Sequence, residues 1–115
     1  MGQTVMKISA REQDNITIFT IEGRVDNEGA VEVDSTLQQA LTSNKHNMIL
    51  DMSGVIYISS AGLRVLADVL TQNRDAGGDL KLVGVTKKVN RVLQIIGFTN
   101  YFSLYDTSDA AIADF

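Results

Sequence analysis

The chain has 115 residues, enough for one ordinary domain with its own core, and its 44% hydrophobic and 21% charged content excludes disordered, collagen-like and coiled-coil classes. It contains no Cys and one His, which excludes disulfide frameworks, cysteine nucleophiles and multi-histidine metal sites. A net charge of −4 argues against nucleic acid and anionic membranes as partners, and the opening Met1–Lys7 stretch has no basic segment leading into an apolar run, so the expectation is a soluble cytoplasmic protein.

Strand-like and helix-like segments alternate along residues 1–115, with no repeat, linker or low-complexity tract. Residues 4–10 are expected to form a first strand. Ile16-Thr17-Ile18-Phe19-Thr20-Ile21 alternates β-branched and aromatic residues, a second strand that Gly23 is expected to close. From Glu28 to Thr42, Ala30, Val33, Leu37, Ala40 and Leu41 recur at the spacing of one helix face, and Glu28, Glu32 and Asp34 suit the positive end of that helix. Met48-Ile49-Leu50 is apolar without alternation, as in a strand covered on both faces, and ends in Asp51. After a short loop, Val55–Ile58 is a brief extended segment.

A second helix follows Ser59-Ser60, with Leu63, Leu66, Ala67 and Leu70 on one stripe and Val65 and Val69 beside it. It stops at the Asp75-Ala76-Gly77-Gly78 turn. Leu80–Val85 predicts a strand. Thr86 caps a third helix with Val89, Val92, Leu93 and Ile96 inward, and Gly97 ends it. Tyr101–Tyr105 predicts a last extended segment, and Thr107-Ser108-Asp109 opens a short terminal helix. The fold class expected is α/β, a mixed or mostly parallel sheet with helices packed on it.

The stretch that carries chemistry is Ile58-Ser59-Ser60-Ala61-Gly62-Leu63, two serines between an extended segment and an apolar helix. Either serine can cap that helix, because its first N–H groups have no intrahelical acceptor. A nucleophilic serine needs a base, and the one histidine, His46, precedes the third strand and is expected at its opposite end. No G-x-S-x-G elbow occurs either. A serine at a helix start is instead well placed to carry phosphate, since the free N–H groups and the helix dipole favour added negative charge. Lys87, Lys88 and Arg91 form a small basic face on the third helix, expected to be merely solvated. No metal site and no cofactor are expected.

These segments resemble the STAS-domain anti-sigma-factor antagonists. In that family a buried strand leads to an apolar-Asp-Ser-Ser/Thr-Gly-Leu run opening a helix. Aligning on Gly62-Leu63 puts the family's phosphorylated serine at Ser60. Gly23-Arg24-Val25-Asp26 is similar to the family's Gly-x-apolar-Asp segment, and Gly77–Val85 and Val92–Phe98 resemble its glycine turn, strand and following helix end. Ser59 stands where the family commonly has Asp, and Ala61 where it has Ser or Thr.

The resemblance implies a single STAS-like domain over residues 1–115 that works as a monomeric, non-enzymatic binding switch. Unphosphorylated, it would bind a GHKL-type serine kinase that doubles as anti-sigma factor. Phosphorylation of Ser60 would release it, and a PPM-type phosphatase would reset it. Asp26, Asn27, Ser59, Gly62 and Arg64 are the expected partner contacts. The alternative is a STAS module of another partner-switching pathway, in secretion, chemosensory control or stress signalling, without a sigma factor.

Overall fold

Each parallel strand pair needs a crossover, and the one-faced helices between strands provide it. The computed structural model describes residues 6–98 and 100–115. Along these residues run β1 (Met6–Gln13), β2 (Ile16–Val25), α1 (Asn27–Thr42), β3 (Asn47–Ile58), α2 (Ser60–Asp75), β4 (Asp79–Val83), α3 (Lys87–Ile96), β5 (Ser103–Tyr105) and α4 (Ser108–Ala113). The sheet has the order β1-β2-β3-β4-β5, with β1 antiparallel to β2 and every other pair parallel.

The unbroken apolarity of Met48-Ile49-Leu50 has the cause inferred from it. Met48 and Leu50 pack with Val33 and Leu37 of α1, Leu66 and Leu70 of α2, and Val89 and Leu93 of α3 on one face. Ile49 packs on the other face with Ile16, Ile18, Val83 and Ala111 of α4. All three strand residues are fully buried.

Several element limits differ from the sequence reading, each for a local reason. The first strand runs on to Gln13, because Asp14 and Asn15 both take positive φ (54° and 65°) and turn the chain into a β1–β2 hairpin. Residues 4 and 5 of the expected strand lie outside the described residues. Gly23 does not close β2. Its φ of 94° falls at an irregularity in the β2–β3 pairing, and the strand continues to Val25. The expected loop between Leu50 and Val55 is part of one continuous strand of 12 residues, β3. Its register against β2 shifts twice, between Thr20 and Glu22 and again between Gly23 and Arg24. At the second shift β3 has one residue more than β2, Ile56, and this bulge leaves consecutive Ile56 and Tyr57 both exposed.

β4 ends at Val83 rather than Val85, because Gly84 turns away at φ 68°. Only Ser103–Tyr105 of the last extended segment pairs in the sheet, while Tyr101 and Phe102 close an aromatic cluster with Phe98. On α3, Val89 and Leu93 are buried, but Ile96 is exposed rather than inward.

The terminal helix is held by a polar latch. Lys81, buried in β4, donates to the backbone carbonyl of Asp114 at 2.6 Å and lies 4.3 Å from the centre of the Phe115 ring. The Tyr105 hydroxyl donates to the Asp114 carboxylate. That hydrogen bond, then partial burial and the neighbouring negative charges, push the Tyr105 hydroxyl up to about 12. The folded chain therefore keeps the proton at pH values where an unfolded tyrosine has lost it. The latch is complete below the ordinary tyrosine range, near pH 10, and is lost as pH rises through about 12. A spectrophotometric titration should show one tyrosine ionising late, and Tyr105→Phe should remove that late step.

In the turn before β4, a Cβ on Gly78 would lie 2.0 Å from the His46 carbonyl oxygen, which accepts from Asp79 N–H. Gly78→Ala forces backbone apart and should cost about 3 kcal/mol, the upper part of the usual overpacking range. Urea denaturation measures it, and an unchanged midpoint would contradict the contact.

Candidate functional site

The serine-containing end of the molecule is built by two helix starts above two paired strand ends. Val25, the last residue of β2, pairs with Ile58, the last of β3. Asp26 then caps α1: its side chain accepts from Gly29 N–H at 2.8 Å. Ser59 caps α2 in the same way, its Oγ accepting from Gly62 N–H at 3.1 Å while its carbonyl accepts from Leu63 N–H at 3.0 Å. Ser59 N–H donates back to the Val25 carbonyl at 2.8 Å and ties the second cap to the end of the neighbouring strand. The two helices also pack along their lengths.

This settles which serine does what in the fold. Ser59 is 9% exposed and its hydroxyl is committed to the cap. Ser60, the first residue of α2, is exposed and not needed for capping. The free N–H groups and positive end of the dipole of α2 therefore sit beside an accessible hydroxyl. Arg64 is exposed one turn further along α2, the spacing that shares a helix face with Ser60. Asn27 is exposed at the first position of α1.

Three of the expected contact residues sit deeper than that reading required. Asp26 is half-buried in its own cap. Ser59 is buried. Gly62 is buried as well: a Cβ there would lie 2.8 Å from Ile58 Cγ1 and 3.0 Å from Val25 Cγ1. Gly62 lets the start of α2 sit directly on the two strand ends, so it shapes the surface rather than forming it. His46, as expected, is far from the serines, immediately before β3, whereas Ser59 follows its last residue. Among the described residues no group of three or more His, Asp or Glu could hold a metal ion.

The sequence reading missed the residues flanking the serines on the β3 side. Arg24 lies over the Tyr57 ring, 4.5 Å from its centre, with Ile56 60% exposed beside it. The available signal was Ile56-Tyr57 itself: two large residues in succession cannot both face inward from a regular strand.

A family model for the STAS domain matches residues 7–111, which is nearly the whole chain. This chain belongs to the STAS domain family. Its STAS relatives include BtrV of Bordetella bronchiseptica, a proposed anti-sigma factor antagonist. The two are 32% identical over 110 residues, covering 96% of this chain and 95% of that one. Among solved structures it is similar to a proposed anti-sigma factor antagonist from Thermotoga maritima, with a TM-score of 0.87 at 24% identity over 93% of this chain and 92% of that one. It is also similar to SpoIIAA of Bacillus. The unphosphorylated form aligns with a TM-score of 0.81 at 14% identity, over 92% of this chain and 93% of that one. The phosphorylated form aligns with a TM-score of 0.75 at 13% identity, over 94% and 98%. At these identities the solved structures establish the shared STAS fold, a mixed sheet with helices on both faces.

The division of labour between the serines is testable by stability alone. Ser59→Ala removes the α2 cap and should cost about 1 kcal/mol, whereas Ser59→Asp should be nearly neutral because Asp caps as well as Ser. Ser60→Ala should change stability by less than about 0.5 kcal/mol, as expected of an exposed site. Chemical denaturation of the three variants checks the order, and a costlier Ser60→Ala would reverse the assignment of the cap.

Proposed function

We propose that this STAS domain is a partner switch of the anti-sigma factor antagonist type, a binding protein rather than an enzyme. Unphosphorylated, it binds a GHKL-type serine kinase that also acts as an anti-sigma factor, and so frees the sigma factor. The kinase phosphorylates Ser60 and affinity falls; a PPM-type phosphatase restores it. The single observation that carries the reading is the pairing of an exposed Ser60 hydroxyl with a neighbouring Ser59 that already caps α2.

That arrangement suits a switch for two reasons. Phosphate on Ser60 brings roughly −1.5 to −2 charges at neutral pH to a helix N-terminus, where free N–H groups and the dipole accept it, so the fold survives. The same charge must be desolvated when the surface docks, so a complementary partner is lost. Ser59 in place of the family's Asp keeps the cap without placing a carboxylate beside the phosphate. Arg64, exposed on the helix face of Ser60, and Asn27, exposed at the start of α1, are the proposed contacts, while Asp26, Ser59 and Gly62 act by holding the two helix starts in position. The reading takes the protein to act as a cytoplasmic monomer; among the described residues no helix is long and apolar enough to cross a membrane.

Incubation with the cognate kinase and ATP should add one phosphate by intact mass, mapped to Ser60. By calorimetry Ser60→Ala should bind the kinase like wild type and accept no phosphate, while Ser60→Asp should bind at least tenfold more weakly, the effect of one unpaired charge in a docked surface. Equal affinities for the two variants would overturn the switch. The melting temperature of the phosphorylated protein should stay within a few degrees of the unmodified one, as a helix-start phosphate is accommodated by the dipole; a collapse of the fold would refute that account.

A further inference from the structure

Beside the Ser60 end, one stretch of the sheet lacks a neighbouring strand. β4 pairs with β3 only as far as Asp51–Val83, while β3 continues to Ile58. α3 runs alongside this outer half of β3, and between them lies a groove of about 280 Å³. Its apolar wall is exposed: Ile56 is 60%, Tyr57 40% and Ile95 76% accessible. Single exposed apolar residues are ordinary, but three around one groove form a patch of the kind that marks an interaction surface.

The groove is also the basic part of an acidic protein. Arg24, Lys88 and Arg91 line it, Lys87 stands at the adjoining hollow by Ser53 and Val55, and no acidic residue contributes to either wall. These are four of the ten Lys and Arg in a chain with fourteen Asp and Glu. None of the four takes part in an ion pair among the described residues. Arg24 is held over the Tyr57 ring, so its charge is fixed at the rim instead of sweeping through solvent.

We infer that the β3–α3 groove docks an acidic segment of a protein partner, seating an apolar side chain on Ile56, Tyr57 and Ile95 and placing carboxylates against Arg24, Lys88 and Arg91. The chemistry selects this occupant over the others. A second copy meeting the groove through its own two-fold partner would set four cations against four. A flat anionic membrane would draw the acidic remainder of the surface toward its own charge. An acidic segment with apolar anchors meets both halves of the patch, and the groove adds a docking surface to the Ser60 end without needing phosphate.

Fluorescence anisotropy with a short labelled peptide alternating Glu with Leu and Phe tests this, against the same peptide with Lys for Glu. The acidic probe should bind, more weakly as salt is added, and the Lys probe should not. Lys88→Glu with Arg91→Glu should weaken the acidic probe at least about tenfold, as charge reversal at a complementary surface does. Ile95→Ser should weaken it without altering the salt dependence. All three positions are exposed, and circular dichroism confirms that each variant folds. Amide chemical shifts on binding should centre on residues 56–58 and 88–95. The proposal is overturned by equal binding of the two probes, by charge reversal without effect, or by shifts that map elsewhere. It is equally overturned if the groove proves to serve another occupant: pelleting with phosphatidylglycerol vesicles, or concentration-dependent dimerisation, that the charge reversal abolishes. The assay contains neither kinase nor ATP, so its failure leaves the Ser60 switch standing.

Discussion

The hydrogen bond from Ser59 N–H to the Val25 carbonyl, 2.8 Å long, joins the end of one parallel strand to the helix cap that follows its neighbour. Everything at the exposed serine end depends on it. It places the start of α2 over the ends of β2 and β3, where only a glycine fits at position 62 against Ile58 and Val25. It also pins Ser59 where its hydroxyl reaches Gly62 N–H. With Ser59 fixed inward, helical geometry turns the next residue, Ser60, to solvent. An exposed hydroxyl at a positive helix end thus follows from one backbone contact and one tight seat.

The same strand end explains the asymmetry of the surface. Met48–Leu50 in the first half of β3 is continuously apolar because both faces of the strand are covered there. Beyond Asp51 it loses β4, and against β2 it gains a bulge. A bulge changes which side successive residues face, so Ile56 and Tyr57 emerge together beside the basic residues of α3. Two surfaces of different character, a polar helix start and an apolar groove with a basic rim, share Ile58 and Ser59 as neighbours in sequence.

The opposite face is built on different terms. α4 is short, and besides the apolar seat of Ala111 on the sheet its attachment relies on polar contacts: a buried lysine bound to the Asp114 carbonyl, a tyrosine hydroxyl on a carboxylate, and an aromatic ring beside the ammonium. A buried lysine is tolerable only when its charge is met in this way. This face is therefore sensitive to alkali through the Tyr105 hydroxyl.

Local pattern was enough to find most of the architecture. The order of strands and helices, the buried stripes of α1 and α2, the Thr86 cap, the start of the last helix at Thr107-Ser108-Asp109 and the doubly covered Met48–Leu50 segment are all marked by residue patterns only a few positions long. The serine pair and its helix start were legible for the same reason, since capping is local. What the sequence left open was decided by partners distant along the chain. Two serines can cap one helix equally well in isolation, and only the bond to Val25 makes Ser59 the cap and Ser60 the free hydroxyl. Gly62 looked like part of a contact surface until the strand ends beneath it came into view. Gly23 marks a stop in most strands, yet here it serves a bulge because β3 lies alongside. Lys87, Lys88 and Arg91 read as an ordinary solvated face, and they become one side of a groove only when the bulged end of β3, some thirty residues earlier, is folded against α3. Charge and polarity are properties of residues, but a surface is a property of which residues the sheet register brings together.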